Sequence, residues 1–248
     1  MRKRVPTRDR GARRDIDLPT LAALLSTERQ WVGVPRYTRC APARAVTQHV
    51  IAFFAANPRG TDPLKLGEES ADIQRDLKLA PFRDDFRFES RWAVTIDQLV
   101  HGLRELDPSV VHLSMHAAAE GVILQDEHGG PEIVPPRALA ALIGETARHA
   151  RVIVLNACST IAHAPELLAN AEAVIAMDGA IGDDAARMFA AMFYGALGSR
   201  ASIGSAFAQG IGKLAAKRLP DEMFPRCVTR DGVDPREIFL STTERGAG

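Results

Sequence analysis

The sequence predicts an α/β fold, a three-layer sandwich in which a mostly parallel central sheet carries helices on both faces. Three observations carry that prediction. Short apolar runs bounded by turn residues alternate with longer segments of helical periodicity along most of the chain. The apolar runs are continuous, as strands covered on both faces are. The chain has 248 residues, 46% hydrophobic and 25% charged. A chain of that size buries roughly 70 to 75% of its unfolded surface, so its core needs no disulfide or metal staples.

The elements follow in order. Residues 46–56 (VTQHVIAFFAA) read as a strand ending at the turn Asn57-Pro58-Arg59-Gly60, and 67–79 (GEESADIQRDLKL) as an amphipathic helix. The pattern recurs with strand Phe86 to Trp92, helix Ile96 to Leu106, strand Val110 to Met115, helix Pro136 to His149 and strand Val152 to Asn156. A hairpin around Glu127-His128-Gly129-Gly130 sits in the third crossover, between Gly121 and Val134. Further on come a helical stretch near Pro165 to Ala169, a strand Ala173 to Met177, an alanine-rich helix Asp183 to Leu197 and a helix Ile203 to Arg218. This body, 45–219, is flanked by a basic N-terminal extension, 1–44, in which Leu18 to Leu25 is the candidate helix. A C-terminal extension, 220–248, offers Glu237 to Leu240 as the candidate edge strand.

Composition excludes several classes. No stretch approaches the roughly 18 apolar residues of a membrane span. Cys40, Cys158 and Cys227 are odd in number and far apart, which argues against a disulfide framework or a four-thiolate zinc site and for a reducing, cytoplasmic setting. Net charge is zero, yet the first fourteen residues carry seven bases against Asp9, leaving an excess of six acids for the rest. Such an arm can touch an anionic partner, but no Arg-rich helix with interleaved aromatics follows, which argues against nucleic acid. Arg13-Arg14 does not read as an export signal, because Asp15 and Asp17 interrupt what should be an apolar segment.

Chemistry is expected beyond the carboxyl ends of the strands, where loops converge on a rigid sheet. The strand 110–115 runs out at His116, and the strand 152–156 at Ala157 and Cys158. If those strands are neighbours, an imidazole and a thiol share one crevice. An imidazole promotes thiolate formation and returns the proton to a leaving amine, which is the chemistry of a cysteine peptidase. The N–H groups of Cys158 and Ala117 are the candidate donors to the oxyanion. Taken alone, the same residues also read as a buried core cysteine and a hydrogen-bonded loop histidine. Zinc held by His112, His116 and Cys158 lacks a fourth ligand and a recognisable spacing. His163 reads as a surface helix residue, and Gly179 to Gly182 falls short of a dinucleotide loop, so neither a metal nor a cofactor is expected.

Four ordered blocks sharpen this reading: IAFFAANPRGTDPLKLGEE (51–69), VVHLSMHAAAEGVIL (110–124), VIVLNAC (152–158) and AVIAMDGAIGDDAARMFAAMFYGALG (173–198). Together they resemble the CHAT family of caspase-like bacterial proteins. The resemblance implies a caspase-like fold, cleavage of peptide bonds in a protein substrate, and coupling to bacterial signalling or antiviral defence systems. It matches His116 to the general base and Cys158 to the nucleophile. Met115 and Ala117 stand where the family usually has glycines, and Ser159 where an aromatic is common. In similar peptidases that cleave after basic residues, an acid often lies two positions before the nucleophile; here that position is Asn156, which withdraws one reason to expect Arg or Lys at the cleavage site. Asn156 is a candidate pocket residue, and so are Arg59, Asp62 and Asp178, although these last three are easily explained as turn or capping residues. Restraint by a protein activator or regulatory partner is expected of such a peptidase. A catalytically weakened adaptor and a flavodoxin-like small-molecule binder are the alternatives.

Overall fold

The computed structural model describes residues 48–240; the basic arm, Cys40 and the candidate helix Leu18 to Leu25 lie outside them. Six strands form the central sheet: β1 (His49–Ala55), β2 (Phe86–Trp92), β3 (Val110–Ser114), β7 (Val152–Asn156), β8 (Ala173–Met177) and β9 (Pro225–Thr229). Their spatial order is β2-β1-β3-β7-β8-β9. The first five are parallel and β9 closes one edge antiparallel to β8.

Alternation along each buried strand feeds two cores. Ile51, Phe53 and Ala55 of β1 face one helical layer, and Ala52, Phe54 and Ala56 face the other. The first layer holds α1 (Leu66–Leu79), α5 (Asp183–Leu197) and α6 (Ile203–Ala216). The second holds α2 (Ile96–Leu106), α3 (Pro136–Thr146) and the single turn α4 (Ala164–Leu167). The expected three-layer, mostly parallel α/β architecture is the one observed.

Local chemistry sets the helix ends. Thr95 accepts from the Gln98 N–H while the Gln98 side chain accepts from the Thr95 N–H, a reciprocal cap that starts α2. Ser202 caps α6 in the simpler way, and Pro136 opens α3 at a position where no amide donor is needed. Among the described residues no helix is long and apolar enough to cross a membrane.

The expected hairpin is present as β5 (Gly121–Gln125) and β6 (Pro131–Val134), and β4 (His116–Ala118) adds a third antiparallel strand to it. Two other local expectations need correction. Glu237 to Leu240 form no strand, because the Ile238 carbonyl accepts the Ile203 N–H at the start of α6 while Ile238 and Leu240 insert into the first core. The edge strand comes from Pro225–Thr229 instead. His163 is buried, in a short 3-10 turn that leads into α4, because that turn folds back beneath β8.

Candidate active site

The ends of two adjacent strands define the site. β3 and β7 pair in parallel, with Ser114 opposite Asn156 as the last rung. His116 lies two residues beyond Ser114, and Cys158 two residues beyond Asn156. Both line a single cavity, together with Leu64, Leu66, Met115, Asn156 and Ile181 among others.

β3 ends one residue earlier than its apolar run suggests, so His116 opens β4. The His116 Nε2–H donates to the Asp62 carbonyl at 2.8 Å. That bond fixes the tautomer, leaving Nδ1 as the nitrogen with a free lone pair. The Cys158 thiol donates to the Ile181 carbonyl at 3.8 Å, and among the described residues no hydrogen bond joins it to the His116 ring. The Cys158 N–H has no acceptor among the described residues. Ser159 turns the chain sharply, in left-handed geometry at φ 54°, and its N–H donates to the Gly179 carbonyl at 2.9 Å. For a residue with a side chain that conformation costs roughly 1 to 2 kcal/mol. Ala117 is in ordinary extended geometry on the β4 ladder opposite Val122, so alanine there carries no backbone strain. Met115 is buried in the second core, where a glycine would leave a void.

The loop 178–182 contacts Cys158 and Ser159. It supplies the Gly179 and Ile181 carbonyls, and Gly179 is packed so that a Cβ would approach the Phe224 ring within 2.5 Å. Gly182 then caps α5, its N–H held by Asp221 at 2.8 Å.

Behind the cavity lies a polar network built around Glu69 of α1, which is only 3% exposed. Its Oε1 accepts from His112 Nε2 at 3.0 Å and from Asn156 Nδ2 at 2.5 Å. Its Oε2 accepts from Ser114 Oγ at 2.5 Å. His112 Nδ1 and the Tyr194 hydroxyl lie 2.9 Å apart, so an imidazole protonated at Nε2 accepts the phenol's proton and every bond has one donor. Burial, and then the negative charge of Glu69, push the Tyr194 phenol well above its ordinary value and keep it a donor. Phe53 stacks on the His112 ring at 4.9 Å. Both His112 nitrogens are thus committed away from Cys158, which removes it from any metal set with His116. The Asn156 amide must turn its nitrogen toward the carboxylate, and its Oδ1, buried, is left with no donor.

Of the candidate pocket residues, Asn156 alone lines this cavity. Asp62 contributes its backbone carbonyl rather than its side chain. The Arg59 guanidinium is engaged by the His128 carbonyl at the β5–β6 turn, and Asp178 pairs with Arg226 at 3.2 Å on the surface. Sequence reading missed Glu69, yet a signal exists: Leu66, Glu69, Ser70, Ile73 and Leu77 share the buried stripe of α1, so its carboxylate sits on an apolar face.

Comparison with known proteins follows from this geometry. A Roc-COR-CHAT protease from an unknown prokaryotic organism is 25% identical over 182 residues, covering 70% of this chain and 17% of that relative. A probable protease of Gillisia limnaea is 25% identical over 145 residues, covering 57% of this chain and 26% of its own. The chain therefore spans about a quarter or less of the length of these relatives. Among solved structures, the Arg-specific cysteine proteinase gingipain R superposes with a TM-score of 0.55 at 12% identity, covering 78% of this chain and 48% of that one. That likeness is one of fold. The sequence profile of the CHAT domain matches residues 22–223, most of the chain, and the protein belongs to the CHAT domain family.

Proposed function

We propose that this chain is a caspase-like cysteine endopeptidase with Cys158 as nucleophile and His116 as general base. The observation that carries the reading is the cavity shared by the two side chains, two residues past the paired strand ends. His116 Nδ1 takes the thiol proton while the Asp62 carbonyl holds Nε2–H and steadies the imidazolium that forms. The thiolate attacks the scissile carbonyl, a C–S bond forms, and the oxygen becomes an oxyanion. The unengaged Cys158 N–H is the donor best suited to receive it, with Ala117 N–H as the second. His116 then protonates the leaving amine as the C–N bond breaks, and water hydrolyses the thioester by the reverse proton path.

A second reading, an adaptor with weakened chemistry, is favoured by the thiol's bond to Ile181 rather than to His116. The two readings differ in whether the thiol leaves the Ile181 carbonyl for the His116 ring. Hydrolysis of a peptide library by the full chain should vanish in Cys158→Ala and fall by about 10² or more in His116→Ala. Undiminished cleavage in Cys158→Ala removes the mechanism. We infer in addition a protein partner that raises this activity, in keeping with relatives whose length lies mostly outside the matched region. An isolated chain already turning over at about 10 per second, a median enzyme rate, would contradict that partner.

A further inference from the structure

The cavity beside Cys158 has an unbalanced set of polar groups. Asn156 is 7% exposed, and the Glu69 carboxylate dictates which way its amide points, leaving Oδ1 an acceptor with no donor. Buried acceptors rarely stay unsatisfied without a reason, and a ligand that brings the missing donor is one such reason. Glu69 itself receives three hydrogen bonds and has one lone-pair direction left at Oε2. Asp183, in the first turn of α5, also lines the cavity, and its side chain makes no ion pair or hydrogen bond among the described residues.

Cations line the same cavity, but their charge is spent elsewhere. Lys65 pairs with Asp184 at 3.2 Å. Arg187 is held by Asp72 at 2.9 Å, Glu68 at 2.5 Å and Asp184 at 3.2 Å. The remaining lining is apolar, from Leu64, Leu66, Ile181 and Ala186, suited to the methylenes of a long side chain. The lining thus combines an apolar wall with the unsatisfied Asn156 acceptor and with Asp183, a carboxylate that has no partner among the described residues.

We propose that this cavity is the primary specificity pocket and that it selects a lysine or arginine on the amino side of the scissile bond, through Asn156 Oδ1, Asp183 and the open lone pair of Glu69. The neutral residue two positions before Cys158 is then no bar to basic specificity, because the charge comes from α1 and α5 instead of from β7. This inference rests on the peptidase reading of Cys158, and its test keeps the two apart.

The test uses peptidyl acyloxymethyl ketones identical except at the residue before the warhead, which is lysine, arginine, norleucine or aspartate. The full chain is treated near neutral pH, and modification of each cysteine is followed by peptide-mapping mass spectrometry. The lysine or arginine probe should modify Cys158 at least tenfold faster than the norleucine probe, about 1.4 kcal/mol of discrimination, with the aspartate probe slowest. Asp183→Asn should lower the ratio of the basic to the norleucine rate several-fold. Cys158 labelling that is led by norleucine or aspartate, or a ratio insensitive to Asp183→Asn, overturns the pocket while leaving the peptidase reading intact. If no probe modifies Cys158 faster than Cys227, the peptidase reading falls and the pocket with it.

Discussion

Replacing Glu69 tests the part of the site that holds everything else. In Glu69→Ala three buried donors lose their acceptor at once: His112 Nε2, Asn156 Nδ2 and Ser114 Oγ. Each orphaned donor costs about 1 to 3 kcal/mol. Ser114 and Asn156 line the cavity, where water can partly replace the carboxylate, while His112 is fully buried and has no such relief. A net loss of about 3 to 5 kcal/mol follows, a large share of the 5 to 15 kcal/mol typical of a domain. Glu69→Gln keeps the two bonds at Oε1 and turns the third around, the new amide donating to Ser114 Oγ. Its cost is the weakening of charge-assisted bonds to neutral ones, about 1 to 2 kcal/mol. Urea unfolding followed by circular dichroism reads both: at a slope of about 2 kcal/mol per molar, the midpoint should fall by about 2 M for alanine and by less than 1 M for glutamine. An alanine variant unfolding at the wild-type midpoint, or a glutamine variant less stable than alanine, would refute the network as drawn.

Burial raises the Cys227 thiol to about 11. The folded state thus resists thiolate formation, so its stability is fully present below the ordinary value of 9.0 and is lost as pH climbs toward 11. Two pK units correspond to roughly 3 kcal/mol; Cys227→Ala should flatten the alkaline limb of a thermal-melt profile, and an unchanged limb would assign it to other groups. Gly179→Ala drives a Cβ into the Phe224 ring and displaces the loop that contacts Cys158 and Ser159. Peptide hydrolysis should drop more than stability does, and a second change, Phe224→Ala, should restore it; failure of that rescue would show that the loop is held by something other than this contact.

Most of the sheet was readable because its strands are buried on both faces, so VVHLS, VIVLN and AVIAM announce themselves as continuous apolar runs. Strand-end logic likewise expected His116 and Cys158 at one crevice, and both line the same cavity. What escaped depends on contacts distant in sequence. β4 has three residues, two of them alanine, and becomes a strand only because β5 pairs with it. β9 begins with a proline and an exposed arginine, and owes its existence to the free edge of β8. Glu69 shows its face in the helical pattern, but the pattern does not reveal that Ser114 and Asn156, 45 and 87 residues later, wait opposite it. Arg59 and Asp178 were drawn in by proximity to the right loops; one is committed to a neighbouring turn and the other to a surface ion pair.

The Ser114–Asn156 rung also fixes how the molecule can vary. Parallel strands register in whole-residue increments of about 3.3 Å, and a slip of one inverts every side chain between the two layers. The register of the strand ends from which His116 and Cys158 depart is therefore quantised by the lattice of the sheet, not tuned by the 41 positions that separate those residues along the chain. The excursion through β5 and β6 is free to lengthen, shrink or acquire new recognition surfaces while the rung between the two strand ends keeps its gauge.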